Sequence, residues 1–142
     1  MVTADTWVAL PLAQPAVPVS QNQIDRWLHA GQGFFHQEAK SDWQAAAFYA
    51  WKQSRFKDEC VGFLNEPCDV RLGLVFREHR RRDPHNYVGG ITKWVIDGLV
   101  KAKLWPDDNP AWVTVYEPIL TVERVAKHAP LTGSIYLRKR VT

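Results

Sequence analysis

The residues predict an α+β fold, a mixed or antiparallel sheet packed by two main helices in one domain spanning residues 1–142. Three observations carry that expectation. The chain is 46% apolar and holds seven Trp, six Phe and four Tyr, a composition that builds a core and that disordered chains lack. Its length suits a single core, which at this size removes roughly two thirds of the unfolded surface from water. The apolar period switches between two and about 3.6 residues along the chain, giving the order strand, helix, strand, helix, strand, strand.

Taken in order, Trp7 to Leu12 reads as a first strand. It is stopped by the Pro15 to Pro18 segment, where proline has no N–H to give a ladder. A loop carrying Asn22 and Gly31-Gln32-Gly33 is expected next. Residues 38–56 then place Trp43, Ala46, Ala47, Ala50 and Trp51 at helical spacing, with Ser41 as the cap. From Asp69 to Phe76, Val70, Leu72, Leu74 and Phe76 fall on one face of a second strand. Ile91 to Leu104 forms the second helix on a stripe of Ile91, Val95, Leu99 and Ala102, loosened at its start by Gly89-Gly90 and stopped by Pro106. Trp112 to Val122 and Ser134 to Val141 are rich in β-formers and are expected to pair antiparallel.

No apolar run approaches the roughly 18 residues of a membrane span, and no basic-then-apolar leader opens the chain. The expectation is a cytoplasmic protein with no membrane partner. Cys60 and Cys68 match no metal-binding spacing and are expected as reduced thiols in or near the core.

A net charge of +3 conceals an asymmetry, with −2 over residues 1–76 and +5 over residues 77–142. Arg77 with Arg80, Arg81 and Arg82 forms one basic cluster, and Arg138, Lys139 and Arg140 form another. Such clusters attract polyanions, nucleic acid foremost, although a solvated basic face explains the charge equally well.

The basic run ends on a carboxylate, in Arg80-Arg81-Arg82-Asp83-Pro84-His85-Asn86, and Asp107-Asp108 follows downstream. Mg²⁺ takes hard oxygen ligands and keeps some waters, so two or three side chains suffice to hold it. Asp83 and Asp108 are the candidate ligands, with Asp107 and Asp97 in reserve. Cleaving a phosphodiester requires charge stabilisation and an activated water, both of which a carboxylate-held metal supplies. Lys93 and Asp97 stand four apart on one helix face. Lys93 either contacts phosphate or joins Asp97 in an exposed ion pair, the second reading being slightly preferred for Asp97. His85 is a metal ligand that would favour Mn²⁺ or Zn²⁺ over Mg²⁺, a proton shuttle, or a histidine held in a polar loop. Trp105 and Trp112 flank the acidic pair and are more in character as core than as platforms for an unstacked base.

Arg81-Arg82-Asp83-Pro84-His85-Asn86, Lys93, Asp97-Gly98-Leu99, Ala102 and Trp105-Pro106-Asp107-Asp108 resemble the signature of the RusA family of Holliday junction resolvases. The likeness covers residues 80–115, about a quarter of the chain. It implies a RusA-like α+β fold and a Mg²⁺-dependent homodimer that binds branched DNA and nicks two strands symmetrically, with no organic cofactor. It also implies catalytic roles for Asp83, His85, Asp108 and Lys93. Arg80, Arg81, Arg82, Lys93, Arg138, Lys139 and Arg140 would then bind the DNA backbone.

The chain departs from the family pattern at His85, where the family has Asp, and in a longer segment between Asn86 and Lys93. A non-catalytic branched-DNA-binding protein of the same fold is therefore the alternative expectation. A third is a metal-free protein whose basic face meets an acidic protein partner.

Overall fold

A computed structural model describes residues 6–140. Strand β1 (Val8–Gln14) is followed by two helices, α1 (Gln21–His29) and α2 (Gly33–Ser54). Strand β2 (Cys68–Phe76), helix α3 (Lys93–Lys101) and strands β3 (Val113–Val115), β4 (Ile119–Val122) and β5 (Leu131–Lys139) complete the fold. The architecture is α+β, with helices packed on a five-stranded mixed sheet.

Strand β2 is the centre of the sheet. Its core face carries Val70, Leu72, Leu74 and Phe76, each at most 1% exposed. On one side β5 runs antiparallel to it and links it to β1; on the other, β3 and β4 both run parallel to it. The expected antiparallel pairing of the last two β segments is thus corrected. The chain crosses from β2 through α3 before returning, and a helical crossover of that kind delivers a parallel neighbour.

The parallel edge is broken between β3 and β4. The Tyr116 N–H still donates to the Val70 carbonyl at 2.8 Å. Two residues later Pro118 has no N–H to offer, and pairing resumes at Ile119 opposite Gly73.

Three other expectations need correction. The segment after Pro18 is helical, because Ser20 caps α1 by accepting from the Gln23 N–H at 3.2 Å. Only Ile24 of its nine residues is buried, so there is little apolar period to read. Helix α2 starts at Gly33 and not near residue 38, and Ser41 lies within it as an exposed residue. The strand expected to reach Val141 ends at Lys139, and Val141 itself lies outside the described residues.

Trp43, Ala47, Ala50 and Trp51 of α2 meet Val95, Ile96 and Leu99 of α3 over the sheet in one core. Gly98 permits the closest approach. A Cβ there would collide with the Gln44 backbone carbonyl and the Ala47 side chain. Both cysteines are free and buried, as expected. Among the described residues no helix is long and apolar enough to cross a membrane.

Candidate functional site

The segment from Asp83 to Lys93 folds locally into two consecutive turns. Asp83 is extended, and its Oδ1 accepts from the His85 N–H at 3.0 Å, capping a 3₁₀ turn at Pro84–Tyr87. A π-turn follows at Val88–Thr92, held by Thr92 Oγ1 donating to the Tyr87 carbonyl at 2.7 Å. The longer stretch between Asn86 and Lys93 is absorbed here, in a helix form that frequently marks functional positions. Gly90 lets this turn pack against Ile24 of α1, where any Cβ would meet the isoleucine side chain.

Helix α3 then presents Lys93 and Asp97. Lys93 is exposed and lines a cavity of about 360 Å³ with Val88, Gly89, Ile96, Asp108 and Val115. Asp97 does not pair with Lys93; it lies beside Asp108 and lines a second cavity with Lys40, Gln44, Lys101, Asp107 and Asp108. The exposed ion pair expected between Lys93 and Asp97 is therefore not formed. Asp108 borders both cavities and joins them.

The acidic pair is arranged by its own turn. Asp107 Oδ1 accepts from the Asp108 N–H at 2.7 Å and Oδ2 from Asn109 Nδ2 at 3.0 Å, while Asn109 Oδ1 accepts from the Ala111 N–H at 2.9 Å. These donors, the Asp108 N–H first, hold the Asp107 carboxyl below the ordinary Asp range. The Asp108 carboxyl is pushed up, by partial burial first and then by contact with Asp107 and Asp97. Three carboxylates thus converge, and among the described residues no cation forms an ion pair with them.

Asp83 and His85 stand apart from that group. Neither lines a cavity bordered by Asp108, and His85 Nδ1 lies 3.9 Å from Glu117 Oε1, both side chains exposed. Glu117 sits at the break between β3 and β4, two residues past Val115 of the Lys93 cavity wall. Sequence reasoning missed it, because only the parallel return of β3 and the gap at Pro118 bring it to His85. Among the described residues no group of three or more His, Cys, Asp or Glu side chains is already spaced to surround one ion.

The basic residues divide into exposed and committed. Arg80 and Arg81 are exposed, and among the described residues neither side chain donates a hydrogen bond. Arg82 braces its own loop, donating to the Glu78 carbonyl at 2.9 Å and lying 3.9 Å from the Phe76 ring centre. Arg77 ties down the segment before β5 by donating to the Ala126 and Ala129 carbonyls.

In the second cluster, Arg138 donates twice to Asp69 Oδ2, at 3.0 and 2.9 Å, and once to the Tyr116 hydroxyl at 3.1 Å. Its guanidinium also covers the Trp7 ring at 4.3 Å. Arg140 donates to the Ala111 carbonyl at 3.1 Å, and Lys139 packs its stem beside Gly62. These three residues are part of the framework, as is Trp105, which is 1% exposed with its indole N–H on the Glu66 carbonyl at 2.9 Å. Trp112 packs against the core as well.

Fold and geometry together define a small α+β domain with a carboxylate-lined double cavity beside a lysine-bearing helix. No protein-family model matches the chain, and no curated protein matches it.

Proposed function

We propose that the chain is a divalent-metal-dependent endodeoxyribonuclease that binds branched DNA and nicks its strands symmetrically, a resolvase of the RusA kind. The observation that supports this reading best is the convergence of Asp97, Asp107 and Asp108, none of them in an ion pair among the described residues, beside Lys93. Like charges brought together without a partner are costly, and hard oxygen donors of this kind suit Mg²⁺ or Mn²⁺. Asp97, Asp107 and Asp108 would hold the ion, with the exposed Asp83 drawn in from the neighbouring turn. When bound, the metal supplies charge neutralisation at the scissile phosphate and a more acidic water.

The protein's own groups supply positioning. Lys93, on the cavity wall beside Asp108, donates to a phosphate oxygen, and Arg80 and Arg81 hold the strand on either side. His85 and Glu117 stand 3.9 Å apart, both exposed, at the edge of this surface. Symmetric nicking of two strands requires two such sites, so the working form is a homodimer. A light-scattering mass of one chain in the presence of junction DNA would contradict it.

A four-way junction incubated with the protein and Mg²⁺ or Mn²⁺ tests the reading. Paired nicks are expected, lost in Asp108→Asn and in Asp83→Asn, while both variants still bind the junction. Asp83→Asn is a clean probe, since an amide oxygen still caps the His85 N–H and only the charge is removed. Cutting retained in Asp108→Asn would remove the metal role assigned here. The separation of Asp83 and His85 from the Asp108 cavities favours one second reading, a branched-DNA-binding protein that does not cut. Tight junction binding with no metal-stimulated cleavage selects it.

A further inference from the structure

A different cavity lies where the C-terminal ends of α2 and α3 meet the 3₁₀ turn at Val61–Phe63. Its volume is about 510 Å³, and none of its lining residues borders the Asp108 cavities. Trp51, Val61 and Leu64 give it an apolar wall, and Val61 and Leu64 are more than half exposed. Phe56 at its rim is 79% exposed, a large ring that a stable core has no reason to leave in water.

Three cations ring this apolar wall, Lys52, Arg55 and Lys103, with no carboxylate among the lining residues. None makes an ion pair among the described residues. The Arg55 guanidinium instead stacks over the Phe56 ring at 4.6 Å, and Lys52 Nζ lies 5.4 Å from the Phe48 ring. Asp58 and Glu59, the nearest acids along the chain, line none of the cavity.

The backbone at Lys103 provides a second, independent sign. Helix α3 ends with the Lys103 N–H donating to the Val100 carbonyl at 2.9 Å and the Leu104 N–H to the Leu99 carbonyl at 3.1 Å. This closure needs a left-handed residue at its penultimate position, where glycine is usual. Here the position is a lysine with φ 72°. A strained lysine persists at the rim of a cationic cavity although glycine would close the helix more comfortably.

We propose that this cavity binds an acidic peptide segment of a partner protein. An apolar side chain of the segment enters between Trp51, Val61 and Leu64, and flanking carboxylates meet Lys52, Arg55 and Lys103. Trp51 is 2% exposed and one face of the Phe56 ring is taken by Arg55, so the open wall is Val61 and Leu64, which suit an aliphatic side chain better than a stacked base. The site does not depend on the nuclease reading.

Fluorescence anisotropy of the full chain with a fluorescein-labelled hexapeptide, four Asp followed by Leu-Phe, is the test. Saturable binding that weakens with salt is expected. About tenfold weaker binding is expected for a peptide with four Asn, and again for one ending Ser-Ser. Lys103→Gly should raise Tm by a few degrees, by relieving the left-handed lysine, and yet weaken the peptide about threefold. A merely structural lysine would move the first readout alone and overturn the proposal. Equal affinity for the Asp and Asn peptides, or no binding at millimolar peptide, also overturns it. So does stoichiometric displacement by a twenty-nucleotide oligo-dT, which would make the cavity a nucleic-acid site. A chain dimer that Leu64→Asp converts to monomer would instead make it a contact between copies.

Discussion

Two sides of α3 gather like charges, and they do so on different terms. On one side Asp97, Asp107 and Asp108 line an open cavity, and the Asp108 carboxyl is pushed up there, first by desolvation and then by contact with Asp107 and Asp97. On the other, Lys52, Arg55 and Lys103 surround an apolar wall and are spread by it, two of them resting against rings. Carboxylates in mutual contact call for a small, concentrated countercharge such as a metal ion. Cations dispersed around an apolar surface suit a partner whose charge is spread and whose centre is greasy. One short helix thus divides two recognition problems.

The largest expected effect comes from undoing what the two sides share. Gly98 is where α3 touches α2 backbone to backbone, so Gly98→Val forces the helices apart. A loss of about 3 kcal/mol is expected from overpacking at a site without room, measured by urea unfolding. The cavity shared by Asp97, Asp107 and Asp108 takes walls from α2 and α3, and the peptide cavity from α2 and the turn that ends α3, so junction cleavage and peptide binding should fall together. If either survives a shift in helix packing, the two sites are not built on the same contact.

A smaller effect sharpens the contrast between charges in water and a titrating group in the core. Burial pushes the Cys68 thiol up to about 11, from an ordinary value of 9.0. The folded chain therefore keeps its proton where the unfolded chain has lost it. Stability from this thiol is fully present below pH 9 and is lost as pH rises toward 11. The two-unit gap corresponds to about 2–3 kcal/mol. Urea midpoints of the wild type should drop between pH 8.5 and 10.5 by more than those of Cys68→Ala. Parallel curves would mean that the thiol titrates normally.

How much of this was legible depends on what each residue's signal rests on. Strand β2 was readable because Val70, Leu72, Leu74 and Phe76 keep a strict two-residue period into the core. Helix α1 was not, since it buries Ile24 and little else; its signal lay in the Ser20 cap. Within the site, Asp107-Asp108 followed from the stop at Pro106, and the helical spacing of Lys93 and Asp97 located a face. What sequence could not supply was direction across the fold.

Arg138 is neutralised by Asp69 because the two are cross-strand partners in β2 and β5, a fact of register. Glu117 reaches His85 because β3 returns parallel and then breaks. In an extended run Asp83 and His85 would share a side. The 3₁₀ and π-turns that replace the extended run turn His85 toward Glu117 instead.

The smallest effect bears on the acidic side alone. Asp108 meets Asp97 and Asp107, and its raised carboxyl means that its stabilising share is present at low pH and lost as pH rises through the folded value. At neutral pH and without metal, the ionised Asp108 therefore opposes folding slightly. Asp108→Asn removes that charge and offers the neighbouring carboxylates an amide N–H in its place. A gain of a few tenths of a kcal/mol is expected in EDTA, because the group is largely in water and its repulsion is screened. The gain should shrink in half-molar salt, since the Debye length then falls to about 4 Å and exposed charges are screened more strongly. With millimolar Mg²⁺ the order should reverse, the wild type gaining Tm by ligand linkage and the variant gaining less. A wild type indifferent to Mg²⁺, with a variant still more stable, would leave the carboxylates as a strained acidic surface and remove the metal from this side of α3.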